Sequence, residues 1–385
     1  MAKKTNALLI GTRKGAFVLR KKKSKWKLSE PRELGTKVFD FQQDAREPNV
    51  LLHTGGGFHL GPTVFRSTDE GATWTEATEP PKFHTVANEG DAPQSDGTSR
   101  GLAVKSNFWL APGHADEPGT WYVGTAPQGL FRSTDGGATW SGVDGFNLNA
   151  KYKEWTVDPD TVPDGSFLHS VLVDPRDAKH LFLSMSIGGT FESTDAGATW
   201  KPVNENVQVL FGPEKYPEHG QDPHCVIQHP ANPDRLYQQN HCGIYSLDLA
   251  KGRRWEHIGA NMPEGIGDIG FGVVGHPRRE DTVWVMPMDG TSVWPRTAPG
   301  GKLAMYRTDD GGTSWKRLAK GLPQENAWFT AKRQALCTFG DPKDPAVCFG
   351  ATCGEVWFGH EGGSEFEQIA KNLPEIYSLY PAVLS

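Results

Sequence analysis

The sequence predicts an all-β fold, a seven-bladed β-propeller of four-stranded antiparallel blades, and three observations predict it. Turn formers and flat aromatic side chains are abundant, with 45 Gly, 28 Pro and 13 Trp in 385 residues. Short apolar runs alternate with polar residues and are separated by Gly-containing turns, which is typical of strand–turn–strand units. One eight-residue phrase of the form Ser/Thr-x-Asp-x-Gly-x-x-Trp also recurs, at Ser67 to Trp74, Ser133 to Trp140, Ser193 to Trp200 and Thr308 to Trp315.

Degenerate copies of the phrase complete the count of units. GIYSLDLAKGRRW retains only its frame and its Trp, EVWFGHEGGSEF has Phe in place of Trp, and GAFVLRKKKSKWKL retains only Trp26. The first unit lacks an upstream strand, and the run IYSLYPAVLS is left over at the other end of the sequence. If this run supplies the missing strand, the ring closes without a free edge, and residues 1–385 form a single propeller domain. The predicted blades have their anchors at Trp26, Trp74, Trp140, Trp200, Trp255, Trp315 and Phe366.

The repeated phrase is predicted to be structural. An Asp in such a turn accepts backbone N–H groups, Gly takes the positive-φ position, and the Trp is delivered into the space between blades. The alignment places the phrase in the hairpin between the third and fourth strands of a blade, on the face opposite a ligand-binding mouth. This interpretation covers Asp69, Asp135, Asp195, Asp309 and Asp310.

These phrases resemble the aspartate boxes, or bacterial neuraminidase repeats (BNR), of sialidases. Similar boxes occur in xyloglucanase-type glycosidases, sortilin-type receptors and photosystem II assembly factors. The stretch DPHCVIQHPANPDRLYQQNHCGIYSLD is similar to a family of stand-alone bacterial proteins labelled sialidase-like or exo-α-sialidase. The resemblance implies a glycosidase-type hydrolase acting on a small, anionic, carbohydrate-derived ligand. Because the superfamily mixes enzymes with binding scaffolds, a non-catalytic propeller that binds a protein or glycan stays an alternative.

Charge and hydropathy narrow the classes of partner. A net charge of −6 disfavours nucleic acid and anionic membranes as partners. No apolar run approaches the length of a membrane span, and the N-terminal residues do not form a secretory signal. Five cysteines without a framework spacing suit a reduced compartment, so a cytoplasmic location is expected.

Candidate site residues follow from the alignment, because the first residues of each innermost strand and the turns between second and third strands meet at the channel mouth. Arg13, Arg100 and Arg333 come from different blades and are predicted to bind an anionic substrate, since guanidinium groups hold carboxylates in bidentate fashion. The resemblance supports this prediction, because sialidases use an arginine triad. Two further substrate-binding candidates, His59 and Asn240, lie in the turns.

The predicted catalytic group consists of Asp222, His224, His241 and His169. Histidine titrates near working pH and can transfer protons. His169, His224 and His241 together with Asp222 also suit a divalent metal ion, which would make the chain a metal-dependent hydrolase or lyase. The sequence departs from sialidases in two ways, because it lacks their Arg-Ile-Pro signature and predicts seven blades where they have six. Flat surfaces for sugar rings are expected from Trp109, Trp155, Trp294 and Trp328.

Overall fold

The structure is a computed structural model that describes residues 5–23, 25–56, 61–83, 102–157, 165–290 and 296–385. These residues form an all-β fold with little helix, as predicted. Two helices of one turn each, α1 (Asp144–Asn147) and α2 (Tyr152–Trp155), lie in one of the long insertions, and two 3-10 turns span Ile258–Asn261 and Pro299–Gly301. No helix in the described part of the chain is long and apolar enough to span a bilayer.

Five sheets have four antiparallel strands each, in the order in which the strands occur along the chain. The first contains β4 (Phe41–Gln43), β5 (Leu51–Gly55), β6 (Thr63–Ser67) and β7 (Thr75–Glu76). The second contains β8 (Ser106–Pro112), β9 (Trp121–Ala126), β10 (Leu130–Ser133) and β11 (Ser141–Gly142). The third contains β12 (Leu168–Val173), β13 (Leu181–Met185), β14 (Gly189–Ser193) and β15 (Lys201–Pro202).

The fourth and fifth sheets repeat this order. The fourth contains β16 (Pro223–His229), β17 (Asn232–Asn240), β18 (Gly243–Asp248) and β19 (Glu256–His257). The fifth contains β20 (Gly270–Gly275), β21 (Val283–Pro287), β22 (Met305–Thr308) and β23 (Lys316–Leu318). The repeated four-stranded sheet that the sequence predicts is therefore confirmed.

A sixth sheet of eight strands joins the two ends of the sequence. One half contains β24 (Ala331–Phe339), β25 (Ala346–Ala351), β26 (Val356–His360) and β27 (Glu365–Ala370). The other contains β28 (Ile376–Leu384), β1 (Thr5–Thr12), β2 (Gly15–Lys22) and β3 (Lys25–Leu28). A single parallel bridge between Gln334 and Ser378 connects the halves. β28 pairs antiparallel with β1 from Leu384 opposite Thr5 to Ile376 opposite Thr12, so the leftover run does supply the missing strand.

The repeated phrase forms the predicted turn. In the first copy the Asp69 carboxylate accepts hydrogen bonds from the Thr73 backbone N–H (2.8 Å), the Thr73 hydroxyl (2.6 Å) and the Ser67 hydroxyl (2.7 Å). The same set holds Asp135, Asp195 and Asp310. Asp309 differs, because it pairs with Arg307 and accepts from Thr282. Each phrase connects a third strand to a fourth, as predicted.

Aromatic side chains fill the space between sheets. Trp140, Trp200 and Trp315 are at most 8% exposed, and Trp255 is fully buried. The Trp255 indole N–H donates to the Val203 carbonyl in the preceding sheet at 2.8 Å, so this anchor ties two sheets together. Trp26 and Trp74 are only partly buried.

The direction of the strands separates the site from the turns of the repeated phrase. Antiparallel order places the start of a first strand and the turn between second and third strands at the same end of a sheet. The turn between third and fourth strands then lies at the opposite end. Asp222 precedes β16 and His241 follows β17, whereas Asp195 follows β14. The candidate site and the repeated phrases therefore occupy opposite faces.

Candidate functional site

Large side chains stand at the opening of the innermost strands and meet one another. Phe39 stacks on Tyr377 with ring centroids 4.9 Å apart, and Phe108 stacks on Phe167 at 4.1 Å. Phe39 also contacts Phe108 at 5.3 Å, which joins the two pairs. These residues come from four different sheets, at or just before β4, β8, β12 and β28. We call these four residues the aromatic floor.

Arg333, in β24, lies against this floor. Its guanidinium carbon is 5.9 Å from the ring centroids of both Phe108 and Phe167, and 5.1 Å from that of Phe271 in β20. Aromatic faces attract a guanidinium through their quadrupole and hold its plane in place. The structure thus fixes this arginine between aromatic rings at the start of the channel.

A cavity of about 340 Å³ opens between Arg333 and the floor. Its basic residues outnumber its single acidic one, Glu375, which contacts Arg13 at 3.9 Å and Lys332 at 3.5 Å. A second cavity of about 540 Å³ shares Lys37, Phe39 and Phe167 with the first. The first cavity is lined by Arg13, Lys37, Phe39, Phe108, Phe167, Lys332, Arg333, Gln334, Glu375 and Tyr377.

Asp222, His224 and His241 form a compact cluster beside Arg333. The Asp222 Oδ2 atom lies 3.4 Å from His224 Nε2 and 3.3 Å from His241 Nδ1, and the three ligand-type atoms lie within 4.8 Å of one another. The Ile187 backbone N–H donates to Asp222 Oδ1 at 3.2 Å and orients the carboxylate. Phe271 connects the cluster to the cavity, since its ring lies 5.0 Å from His224.

Burial increases from one side of this cluster to the other. The His241 side chain is 31% exposed, Asp222 14% and His224 4%, so His241 faces the solvent. Although burial opposes its ionisation, the imidazoles and the charge of Arg333 hold the pKa of Asp222 well below its usual range. Burial lowers the pKa of His224 although the Asp222 carboxylate opposes this effect, and Arg333 adds to it. At neutral pH the cluster therefore combines an ionised carboxylate with a neutral, buried imidazole.

Hydrogen bonds assign the tautomers of the two imidazoles. His224 Nδ1 lies 2.6 Å from the Gly270 carbonyl oxygen, which only accepts, so Nδ1 carries the proton and Nε2 presents a lone pair. His241 Nε2 lies 3.4 Å from the Arg296 guanidinium, which only donates. The proton of the His241 imidazole is therefore on Nδ1 and points at Asp222. Arg296 also donates to the Asp289 carbonyl at 3.1 Å.

His169 and Asn240 make their polar contacts within the protein. His169 is fully buried, with Nε2 donating to the Pro223 carbonyl and Nδ1 beside the Ser170 hydroxyl, both at 2.9 Å. Burial and Arg333 hold the pKa of His169 well below its usual value. Asn240 is also fully buried, donating to Gln238 and accepting from the Cys242 backbone. The catalytic role predicted for His169 and the substrate-binding role predicted for Asn240 stay predictions.

The structure brings two of the three predicted arginines to one cavity. Arg13 lies in the turn between β1 and β2, and it lines the same cavity as Arg333. Arg100 and His59, the other predicted substrate contacts, lie outside the described residues, so the trio as a whole stays a prediction.

The expected sugar platforms are only partly available. Trp109 and Trp155 are buried at 8% and 4% exposure, because they pack in the core between sheets, and this corrects their prediction as surfaces for sugar rings. Trp328 is 62% exposed, and Trp294 lies outside the described residues. Phe211, which sequence reasoning did not select, is 50% exposed and contacts His241 with ring centroids 5.5 Å apart.

Sequence reasoning also missed a buried carboxyl group in the channel. Asp40 is fully buried, and its carboxylate accepts from the Leu110 backbone (2.7 Å), Gln334 (3.0 Å) and Gln42 (3.1 Å). Burial raises the pKa of Asp40 to about 7, and these hydrogen bonds limit the rise. Its neighbour Phe39 belongs to a pattern that could have been found, a Phe near the opening of several first strands in VFDF, SNFW, SFLH and GFGV.

This arrangement supports two kinds of chemistry. The Asp222 carboxylate can hold the His241 Nδ1–H so that, once Arg296 turns away, Nε2 accepts a proton from water or substrate, as a general base. Alternatively, the three side chains can act as N and O ligands to a divalent cation. The cavity beside Arg333 adjoins this cluster, and more basic than acidic side chains line it.

The chain is similar to curated xyloglucanases, which are glycoside hydrolases. It is 28% identical over 311 residues to a xyloglucanase of Paenibacillus sp., covering 74% of this chain and 26% of that protein. It is 28% identical over 304 residues to a xyloglucanase of Acetivibrio thermocellus, covering 71% and 31%. The chain thus spans about a third or less of the length of these relatives. No family model matches it.

Solved structures show the same fold at low sequence identity. The GH74 xyloglucanase from Xanthomonas campestris superposes with a TM-score of 0.65 at 18% identity, covering 96% of this chain and 53% of that one. A putative 6-phosphogluconolactonase from Bacteroides fragilis covers 98% of both chains with a TM-score of 0.54 at 11% identity. These likenesses show a β-propeller fold built of four-stranded sheets, and they show the fold alone.

Proposed function

We propose that the chain is a glycoside hydrolase that binds a carbohydrate at the channel mouth and activates water at Asp222, His224 and His241. The observation that carries the proposal is the position of this cluster, which stands beside a cavity lined with basic and aromatic side chains. Catalytic sites combine such enclosed pockets with titratable groups whose pKa values are shifted. The similarity to xyloglucanases supports the same reaction class.

The substrate of this proposal carries an anionic group. Arg333 is held between aromatic rings, and Arg13, Lys37 and Lys332 line the same cavity with one acidic residue, Glu375. A guanidinium whose plane is already fixed loses little freedom when it binds a carboxylate. The exposed ring of Phe211, next to His241, offers an apolar face to the sugar, and exposed Trp328 stays a second candidate for such a face. Sialosides and hexuronides are therefore the first substrates to test.

The proposed architecture is a single seven-bladed propeller. Each half of the eight-stranded sheet is itself a four-stranded unit, and counting the halves separately gives seven such units. Because one bridge connects the halves at their innermost strands, they suit adjacent blades of one ring. The pairing of β28 with β1 supports closure. We place the protein in the cytoplasm on the composition argument alone.

The experiment is a hydrolysis assay with sialosides, hexuronides and neutral xyloglucan oligosaccharides. The release of reducing ends measures the reaction. We expect turnover of a charged substrate, a loss of at least a hundredfold in kcat/KM for Asp222→Asn, and a raised KM for Arg333→Gln with charged substrates only. Arg254→Gln, an exposed arginine in a different region, is the matched control.

Two results would count against the proposal. If only neutral xyloglucan is turned over, and Arg333→Gln does not change its turnover, the protein is a hydrolase but its substrate is not anionic. Binding of a glycan without turnover at any pH would favour the non-catalytic scaffold.

A further inference from the structure

The sharpest feature of the cluster is a pair of lone pairs that face each other. His224 Nδ1 donates to the Gly270 carbonyl, so in the neutral ring Nε2 carries a lone pair. That lone pair is directed at the Asp222 Oδ2 atom 3.4 Å away, which is an acceptor too. Two acceptors at this distance in a nearly buried place repel each other, unless a positive species lies between them.

A proton on His224 Nε2 and a divalent cation both satisfy this condition. A cation also engages His241, the third member of the cluster, which a proton shared between His224 and Asp222 does not. The arrangement of the three ligand atoms therefore favours the cation.

The distances in the cluster match a tetrahedral ion. Metal–ligand bonds of about 2.0–2.1 Å imply ligand–ligand edges of about 3.3–3.4 Å in a tetrahedron. Asp222 Oδ2 lies 3.4 Å from His224 Nε2 and 3.3 Å from His241 Nδ1, so two of the edges are already present. The three ligand atoms lie within 4.8 Å of one another, so closing the third edge requires a small movement.

The second layer of contacts is also that of a metal site. Imidazoles that bind metals commonly donate their other N–H to a carbonyl, which fixes the ring, and His224 does this with Gly270. The other oxygen of the Asp222 carboxylate, Oδ1, accepts a hydrogen bond from the Ile187 backbone N–H, so Oδ2 is left for the ion. Because His241 is the exposed member, the fourth position opens to solvent on its side.

We infer that Asp222, His224 and His241 bind a divalent cation of the zinc type, with an open fourth position toward the channel mouth. Two nitrogens and one carboxylate oxygen favour such an ion over Mg²⁺ and Ca²⁺, which prefer all-oxygen sets. In the proposed hydrolase, this ion would then activate the water. That assignment rests on the proposed function, whereas binding of the ion does not.

One neighbouring charge opposes the cation. The Arg296 guanidinium lies 3.4 Å from His241 Nε2, and it favours the tautomer with the proton on Nδ1. Binding through Nδ1 requires the proton to move from Nδ1 to Nε2, and Arg296 must then turn away from Nε2. We therefore expect the affinity of the cluster for the cation to be moderate, and Arg296→Gln should increase this affinity.

The test is titration of chelator-stripped protein with Zn²⁺, Co²⁺, Mg²⁺ and Ca²⁺ by calorimetry, with the visible spectrum of Co²⁺ as a geometric readout. We expect one Zn²⁺ per chain, the intense absorption of tetrahedral Co²⁺, and weaker binding of Mg²⁺ and Ca²⁺. His241→Ala and His224→Gln should each weaken Zn²⁺ binding at least tenfold.

His360→Gln is the matched control, because His360 is exposed and lies 3.4 Å from a single carboxylate, that of Glu367. Thermal unfolding checks that each variant is folded. If His224→Gln does not fold, His241→Ala still tests the site. Absence of binding, equal affinity in His241→Ala, or an equal loss in His360→Gln would overturn the inference.

Activity separates this inference from the proposed function. Stoichiometric Zn²⁺ binding that depends on His241, without hydrolysis of any glycoside, would support the cation site and contradict the hydrolase. Hydrolysis that survives complete removal of metal would support the hydrolase and overturn the ion as its reacting centre.

Discussion

Asp40 brings together side chains and backbone from three innermost strands or their openings. It precedes β4, and it accepts from Leu110 in β8 and Gln334 in β24. Gln334 also donates to the Phe108 carbonyl, so one amide serves two sheets. This network holds the backbone of the aromatic floor in place, because Phe39 adjoins Asp40 in the chain and the Phe108 carbonyl accepts from Gln334.

The buried carboxyl group predicts an unusual dependence of stability on pH. The pKa of Asp40 is about 7 in the folded protein and 3.8 in an unfolded chain, so between these values the folded state binds more protons and stability falls as pH rises. The full shift corresponds to at most about 4 kcal/mol. We expect the free energy of unfolding to fall less between pH 5 and pH 8 in Asp40→Asn than in the unchanged protein. Urea unfolding at the two pH values measures this difference. An identical pH dependence in both proteins would contradict the prediction.

The turn aspartates predict the opposite dependence. Asp195→Ala removes bonds from the Thr199 N–H, the Thr199 hydroxyl and Ser193, and should lower the free energy of unfolding by about 1 kcal/mol, since the group is exposed. These bonds lower the pKa of Asp195, so the difference should disappear as pH falls through that lowered pKa. Thermal unfolding measures it, with exposed Glu325→Ala as the control. An equal loss in the control would contradict the assignment.

Residues differ in how far the sequence alone reveals them. The role of Asp69 follows from its own turn, because its partners Ser67 and Thr73 are two and four residues away. Arg296 and Asp40 act on residues far away in the chain, and no local pattern reports such contacts. The sequence makes His224 a candidate, and the structure places it next to Asp222 and His241, but the position of its lone pair depends on the Gly270 carbonyl, which the sequence does not reveal.

At the scale of the elements, the hairpins were the most predictable part. Period-two alternation and fixed turn chemistry are local properties, and they placed each repeated phrase between a third and a fourth strand. The insertions carry no such period, so α1 and α2 in the segment 143–166 were not predicted. Trp155 packs in the core there, because α2 turns it inward against Phe191 at a ring distance of 4.8 Å.

The tryptophan anchors are predicted to contribute unequally. Trp255 bonds to Val203 in another sheet, whereas Trp74 bonds to Gly71 within its own turn. Trp255→Phe leaves a carbonyl in a buried place without its donor, so we expect a loss of about 1–2 kcal/mol, and about 3–5 kcal/mol for Trp255→Ala. Trp74→Phe should cost less, which urea unfolding checks. A larger loss for Trp74→Phe would show that the bond between sheets is unimportant.

For the whole molecule, closure through β28 is the decisive feature. A chain that ends at residue 373 lacks β28 and exposes the edge of β1, with Leu8 and Ile10 on it. Unpaired edges with apolar side chains associate. We expect this truncation to aggregate, as measured by size-exclusion chromatography with light scattering.

Two controls accompany this truncation. A chain that lacks only Ser385 should stay monodisperse, since β28 ends at Leu384. A synthetic peptide of residues 374–385 should restore monodispersity to the truncated chain, whereas a scrambled peptide should not. A monodisperse, folded truncation without peptide would show that closure is dispensable.

Pairing of the first strand with the last also affects how the protein is made. A ribosome releases β1, β2 and β3 early, yet their sheet lacks its innermost strand until residue 384 has been synthesised. During that interval the nascent N-terminal hairpins present an open edge, which chaperones recognise. We therefore expect this sheet to finish folding only after residue 384 has been synthesised, and the yield of folded protein in cells to depend on holdase capacity more than on translation speed.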